Sequence, residues 1–173
     1  MKNVFLLVGI FFLVALPLTA YSQSIAYIDL QKVMVESNKG KEAKQTLTQE
    51  ADKLKKTLDG KQDELQKMKD AIEKQGTTIT PEARTEKEKQ YQSKLKDYQR
   101  LANDYQTELQ QKDMELTRNM LKELEGVIKS LGEKEKYTLI VEKSQVLFAA
   151  PTIDITSKVI NLFNEATKKK PTK

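Results

Sequence analysis

For proton transfer, nucleophilic attack or metal binding, this 173-residue chain offers carboxylates, lysines, arginines and hydroxyls, but no histidine and no cysteine. Paired carboxylates can serve as general acid and base, and clusters of them can hold a hard cation through oxygen. Ser–His and Cys–His nucleophile pairs are excluded, as are zinc sites built on imidazole or thiolate. No disulfide can form. No glycine-rich motif that would cradle a phosphate is present. The acidic residues are spread along what read as solvated helix faces with no evident pocket, so a carboxylate hydrolase is remote. The expectation is a protein with no enzymatic activity, no cofactor and no metal.

The elements that would position these charges are long helices. Leu47, Ala51, Leu54, Leu58, Leu65, Met68 and Ile72 recur at spacings of 4, 3, 4, 7, 3 and 4, a coiled-coil seam with one polar slot at Lys61. Tyr91, Leu95, Tyr98, Ala102, Tyr105, Leu109 and Leu116 form a second seam, with Lys112 in its polar slot. Beyond Leu116 the series continues to Met120, Leu124, Val127 and Leu131, and its 4-4-3-4 step is a stutter that locally unwinds a supercoil. Tyr91, Tyr98 and Tyr105 invite reading as a partner-contacting stripe, but seam positions explain them without it. Lys61 and Lys112 could set specificity or simply snorkel at the seam edge.

Between the two series, Gly76 suits the end of a helix, Thr80 an N-cap and Pro81 the first helical turn. The residue before a proline is pushed out of the α region, so the chain must reverse here into an antiparallel helical hairpin. A tight loop places Leu65 opposite Tyr91, Leu54 opposite Ala102 and Ala51 opposite Tyr105. Sliding by one heptad pairs Ile72 with Tyr91 and Leu54 with Leu109 instead; loop geometry favours the tight register. Helices of about 35 and 50 residues would reach on the order of 50 and 75 Å.

The ends carry a different pattern. Residues 24–29 and 137–141 are β-like, and a third run follows at 145–150; the latter two read as a β-hairpin. Asp154 can cap a final helix whose Ile155, Val159, Leu162 and Phe163 form one apolar face. The fold class expected is α+β, mostly α: a long helical-hairpin arm (residues 41–131, tip near 76–81) on a small β head (23–40 and 132–167). A head of about fifty residues with three short strands and no disulfide is too small to bury a sufficient core alone, so it is expected to oligomerise. Ile25, Tyr27, Ile28, Leu139, Val141, Val146, Phe148, Ile155 and Leu162 are its candidate oligomerisation residues. Along the arm the candidate seam residues are Leu54, Leu58, Leu65, Tyr91, Leu95, Tyr98, Tyr105 and Leu109. Gly126 and Gly132 are candidate hinges, or tolerated glycines with a helix end at Gly132.

Residues 1–22 read as a signal peptide: a basic start, an unbroken apolar run over 4–18 and small residues at its end. Fifteen residues span roughly 23 Å, short of a bilayer core. Ala20 and Ser22 favour cleavage before Gln23, with cleavage after Ala20 the other option. Residues 41–135 hold 20 basic and 20 acidic side chains, so the net charge of +5 lies outside the arm, much of it in the lysines of 168–173. A basic balance can indicate nucleic acid, but no aromatic-interleaved basic face is visible and none is expected as a partner.

The run Ile25-Ala26-Tyr27-Ile28-Asp29-Leu30-Gln31-Lys32-Val33 after an export signal resembles the mature start of the Skp/OmpH family of periplasmic chaperones. Tyr137-Thr138-Leu139-Ile140-Val141-Glu142, Val146-Leu147-Phe148 and Ile153-Asp154-Ile155-Thr156 resemble its end. The resemblance implies a homotrimer with a shared β-barrel body, three arms around a cavity, and a nucleotide-independent holdase for unfolded outer-membrane β-barrel proteins in the periplasm. A structural or adaptor coiled coil of the cell envelope is the alternative. The family's better-known members carry basic arms; here only the distal part is positive, through Lys74, Arg84, Lys87, Lys89, Lys94 and Lys96 against Glu82, Glu86 and Glu88. At that tip Ile79, Arg84, Lys87 and Lys89 are candidate contacts for a client, for lipopolysaccharide or for an anionic membrane surface.

Overall fold

The computed structural model describes residues 24–75 and 78–168. The expected leader with its cleavage site, Gly76, and the tail residues Lys169, Lys170 and Lys173 lie outside the described residues. Strand β1 (Ile25–Ile28) leads into α1 (Leu30–Glu36), α2 (Asn38–Gln75) and α3 (Pro81–Glu135). Strand β2 (Leu139–Glu142), two single 3-10 turns at Lys143–Gln145 and Pro151–Ile153, and α4 (Thr156–Ala166) complete the chain. The molecule is mostly helical, with long helices and one small strand pair. No described helix is long and apolar enough to cross a membrane.

Helices α2 and α3 hold 38 and 55 residues, or roughly 57 and 82 Å of helix. Helix α2 starts at Asn38, nine residues before the first seam leucine, Leu47. Thr80 opens α3: its hydroxyl accepts the Ala83 N–H at 3.2 Å, and Pro81 occupies the first turn. The helix runs unbroken through Gly126 and Gly132 to Glu135, so Gly132 is not its end. It closes on Lys136 in the left-handed conformation (φ 58°), whose N–H reaches the Gly132 carbonyl.

The hairpin expected over 137–150 does not form. Strand β2 instead pairs parallel with β1, in the register Ile25–Leu139, Ala26–Ile140, Tyr27–Val141 and Ile28–Glu142. After Glu142 the chain turns at once, the Glu142 carboxylate accepting from Ser144, and residues 146–150 run irregularly with no strand partner. Parallel neighbours need a long crossover, and the whole α1–α2–α3 excursion supplies it. That connection lies beyond local sequence patterns, which favour a nearby antiparallel partner.

Helix α1 is short and separate. Asp29 caps it by accepting the Lys32 N–H at 2.8 Å. It stops at Ser37, whose extended backbone (ψ 157°) redirects the chain and whose hydroxyl accepts the Gly40 N–H at 3.1 Å, opening α2. Gly40 is obligatory there, because a Cβ would lie 1.7 Å from the Met34 carbonyl oxygen. The core then gathers Ala26 and Ile28 from β1, Val33 from α1, Met120, Leu124 and Leu131 from α3, and Ile155, Val159 and Phe163. Leu162 packs against this cluster from its margin. The base of α3 is therefore part of the head's interior as well as of the arm.

Candidate functional site

Two surfaces emerge from this architecture, one on the head and one along the arm. On the head, the strand pair is held in place by a polar lattice around β1. The Ile155 N–H donates to the Tyr27 carbonyl at 3.0 Å. The Asp29 N–H donates to the Thr156 hydroxyl at 2.9 Å, and the Thr156 N–H donates to Asp154 Oδ1 at 2.8 Å. Lys143 Nζ donates to Asp29 Oδ2 at 2.9 Å, tying the turn after β2 back to the start of α1.

These contacts move the titrations of the groups involved. The hydrogen bond from Lys143, aided by the capped Lys32 N–H, holds the Asp29 carboxyl below its usual range, and Asp29 in turn raises Lys143. Burial works against ionisation of Asp154, yet hydrogen bonds from Thr156 and Tyr27 outweigh it and lower its pKa. Tyr27 is raised, chiefly by burial and then by the charge of Asp154. At the base of the arm Lys158 Nζ donates to Glu135 Oε2 at 2.6 Å, lowering Glu135 and raising its own pKa.

Outside this lattice the head leaves apolar side chains in water. Ile25 and Leu139, directly paired across the sheet, are 44% and 51% exposed. Phe148 is 89% exposed and its neighbour Leu147 fully so. Val141 and Val146 are half-buried, while Tyr27, Ile28 and Ile155 are buried. A cleft of about 250 Å³ runs from Tyr27 and Lys143 to Val146 and Phe148. A two-stranded sheet of four-residue strands is marginal alone; the far edge of β1 takes one parallel bridge, Tyr27 to Asp154, while the far edge of β2 is open to another chain.

Along the arm, Leu54 and Leu65 are buried between the helices. Leu58, Tyr91, Leu95, Tyr98, Tyr105 and Leu109 are each half-buried. The outer faces carry charge, much of it paired within one helix, as in Arg84–Glu88 at 2.9 Å and Lys112–Glu115 at 3.0 Å. Exposed pairs of this kind contribute little, about 0–1 kcal/mol each. Near the tip Ile79 is half-buried, Arg84 is engaged by Glu88, and Lys89 lines a shallow groove with Thr85 and Lys96. Lys87 is half-buried close by. The head residues and the tip residues lie at opposite ends of the arm and form two separate surfaces.

The register of the arm is mixed. Near the tip Glu64 pairs with Lys94 at 3.3 Å; the tight pairing sets Glu64 opposite Gln92 and the slid one opposite Gln99, so the tight register fits there. Near the head Lys39 pairs with Glu123 at 3.0 Å, next to Leu124, the partner that the slid register gives it.

Among the described residues no cluster of His, Cys, Asp and Glu is arranged to hold a metal ion. Sequence patterns passed over the polar lattice, α1 and Gly40. Helix α1 had a signal, Asp29 followed by Leu30, Val33 and Met34 at helical spacing. Gly40 and the Lys143–Asp29 tie had none, because both depend on contacts between segments that spacing does not relate.

The family model described as outer membrane protein (OmpH-like) matches residues 24–163. Among solved structures, an OmpH-like protein from Caulobacter crescentus CB15, described as an outer membrane chaperone, superposes with a TM-score of 0.80 at 20% sequence identity. That match covers 86% of this chain and 88% of the other. No curated protein gives a significant match. With both strands, both arm helices and nearly all of α4 inside the matched span, the chain belongs to the OmpH-like family.

Proposed function

We propose that this protein is a periplasmic holdase chaperone, exported by a cleaved signal peptide, that shields unfolded outer-membrane β-barrel proteins between coiled-coil arms without using nucleotide. The observation that carries the proposal is the division of the surface: exposed apolar side chains around the strand pair on the head, and a long arm whose outer faces are charged and whose seam leucines are buried or half-buried. The Caulobacter relative of the same fold, described as an outer membrane chaperone, supports the same reading.

In this reading Ile25, Leu139, Val146, Leu147 and Phe148 are covered by neighbouring copies, and the head (23–40 and 132–167) closes as a homotrimer. Three arms then surround a client. An arm with few exposed apolar side chains holds weakly at any one point, so avidity and exclusion from other chains supply the effect. The tip residues Ile79, Arg84, Lys87 and Lys89 make the outermost contacts, to client or to anionic lipid and lipopolysaccharide.

The test is suppression of aggregation of a urea-unfolded outer-membrane β-barrel protein by the mature chain in nucleotide-free buffer. Suppression by the full chain, and none by a chain whose arm is removed between residues 51 and 109, is expected. Equal aggregation with and without the full chain overturns the proposal. Sedimentation at micromolar concentration should give three times the chain mass; a monomer excludes the enclosing arrangement.

A further inference from the structure

Helix α4 runs antiparallel to α3 and delivers its end to the base of the arm. Lys158, in its first turn, meets Glu135, whereas Leu162 and Ala166 share a cleft with Glu123 and Val127. The Asn164 side-chain oxygen accepts the Asn38 N–H at 2.7 Å, so the last turn of α4 abuts the first residue of α2. Thr167 stops the helix, its hydroxyl and its N–H both reaching the Phe163 carbonyl. Leu116, Met120, Glu123, Val127, Ser130 and Lys134 follow one another at spacings of 4, 3, 4, 3 and 4. One face of α3 therefore carries α4 at its lower end and meets α2 at its upper end.

Beyond the end of α4 that face lies open. A cleft of about 350 Å³ continues it between α2 and α3, lined by Ala43, Thr46, Leu116 and Asn119 and by the carboxylates of Glu42 and Glu123. A second, of about 430 Å³, carries it outward from Thr46 to Glu50, Glu108 and Glu115. Across the two clefts five carboxylates stand against three lysines, Lys39, Lys112 and Lys122. Among the described residues neither Glu42 nor Glu108 makes an ion pair. Ala43 and Leu116 stay half-buried, so the groove leaves apolar surface as well as negative charge uncovered.

Lys168 is exposed two residues beyond Ala166, and the sequence continues Lys169-Lys170-Pro171-Thr172-Lys173. Pro171 disfavours helical backbone at Lys170. Five extended residues reach about 17 Å, and the groove from Lys39 to Glu50 is about 16 Å long. We infer that residues 168–173 dock back into this groove of their own chain, as a basic strap laid between α2 and α3. The lysine stems cover Ala43 and Leu116, and their ammonium groups meet Glu42, Glu50 and Glu115. Each exposed contact is weak, but the tether holds the lysines at an effective concentration on the order of millimolar, so docking needs no deep pocket. The strap extends the hold of α4 on the arm base and closes the groove to basic segments of other chains. It does not rest on the chaperone reading.

The test uses the whole mature chain with no substitution. A carbodiimide joins an ammonium to a carboxylate only where the two touch, and the Lys39–Glu123 pair at 3.0 Å serves as internal standard. Coupling of Lys169, Lys170 or Lys173 to Glu42, Glu50 or Glu115 is expected, at least about fivefold weaker in about 1 M salt, where the screening length falls to ~3 Å. Co-refolding with isotope-labelled chain separates the sources. Links within one isotope support the strap, while mixed links assign the tail to a second copy and overturn it. Coupling of the standard without the tail, or of the tail to carboxylates elsewhere, also overturns it. A second readout follows the tail itself. The chain has no cysteine, so a nitroxide at Thr172→Cys is unique. Its spectrum should be immobilised, and about threefold more mobile after Glu42→Gln, Glu50→Gln and Glu115→Gln, whose exposed or half-buried positions leave helical content unchanged. A label already fast in the unsubstituted chain, or one that the three substitutions do not release, overturns the inference.

Discussion

In the head, Val33, Val159 and Phe163 are wholly removed from solvent, and three segments far apart in sequence meet around them. Along the 38 residues of α2, by contrast, Leu54 and Leu65 are the apolar side chains buried, each still 8–9% exposed. The head is therefore stabilised by tertiary burial and by polar groups that satisfy one another across segments. The arm is stabilised by helix propensity, one narrow seam and many weak surface pairs. A unit of the first kind is sensitive to single substitutions; a unit of the second kind spreads its stability over many weak contacts.

The sharpest contrast should come from truncating the core. Phe163→Ala should cost about 3–5 kcal/mol, read as a loss of cooperative urea unfolding of the whole chain, while Leu58→Ala on the half-buried seam should cost about 1–2 kcal/mol. Equal costs would erase the distinction between head and arm. Glycine gives the next test. Gly40→Ala, with its Cβ driven onto the Met34 carbonyl, should destabilise by about 1–3 kcal/mol or more. Gly60→Ala, facing open space in mid-α2, should stabilise by about 0.5–1 kcal/mol. Both are measurable as shifts in thermal midpoint, in opposite directions.

Acid should discriminate further. Asp29, Asp154 and Glu135 all titrate below their usual range in the folded head. Their ionised forms thus stabilise the fold: the contribution is complete above the ordinary carboxyl pKa of about 4 and is lost as pH falls through the lower folded values. Near-ultraviolet signals from Tyr27 should fade with acid before the far-ultraviolet helical signal, and Asp29→Asn should flatten that dependence. As small as the Gly60 effect, Lys136→Gly at the left-handed end of α3 should raise stability by about 0.5–1 kcal/mol.

Much of the arm was legible because its determinants are local. Leucines and tyrosines at 3-4 spacing call for a helix wherever it lies, and Thr80-Pro81 sets the start of α3 by its own hydrogen bond and fixed φ. The apolar face of α4, with Ile155, Val159 and Phe163 inward, was readable by the same periodicity. The strand partner was not. Residues 137–150 look like a hairpin because two β-like runs stand side by side, whereas β2 finds its partner more than a hundred residues away in β1.

Composition and spacing alone determined that imidazole and thiol chemistry is absent, that two long helices turn back near Pro81, and that the ends of the chain differ from its middle. Only the tertiary structure decided that the strands run parallel, that Gly40 has no alternative, that Lys143 closes onto Asp29, and that α3 is four residues longer than α2 between the Lys39–Glu123 and Glu64–Lys94 ion pairs. The reason is one of range. Helix periodicity and capping act within a few residues, while strand pairing, close backbone approach and ion pairing depend on which distant segments the finished fold brings together.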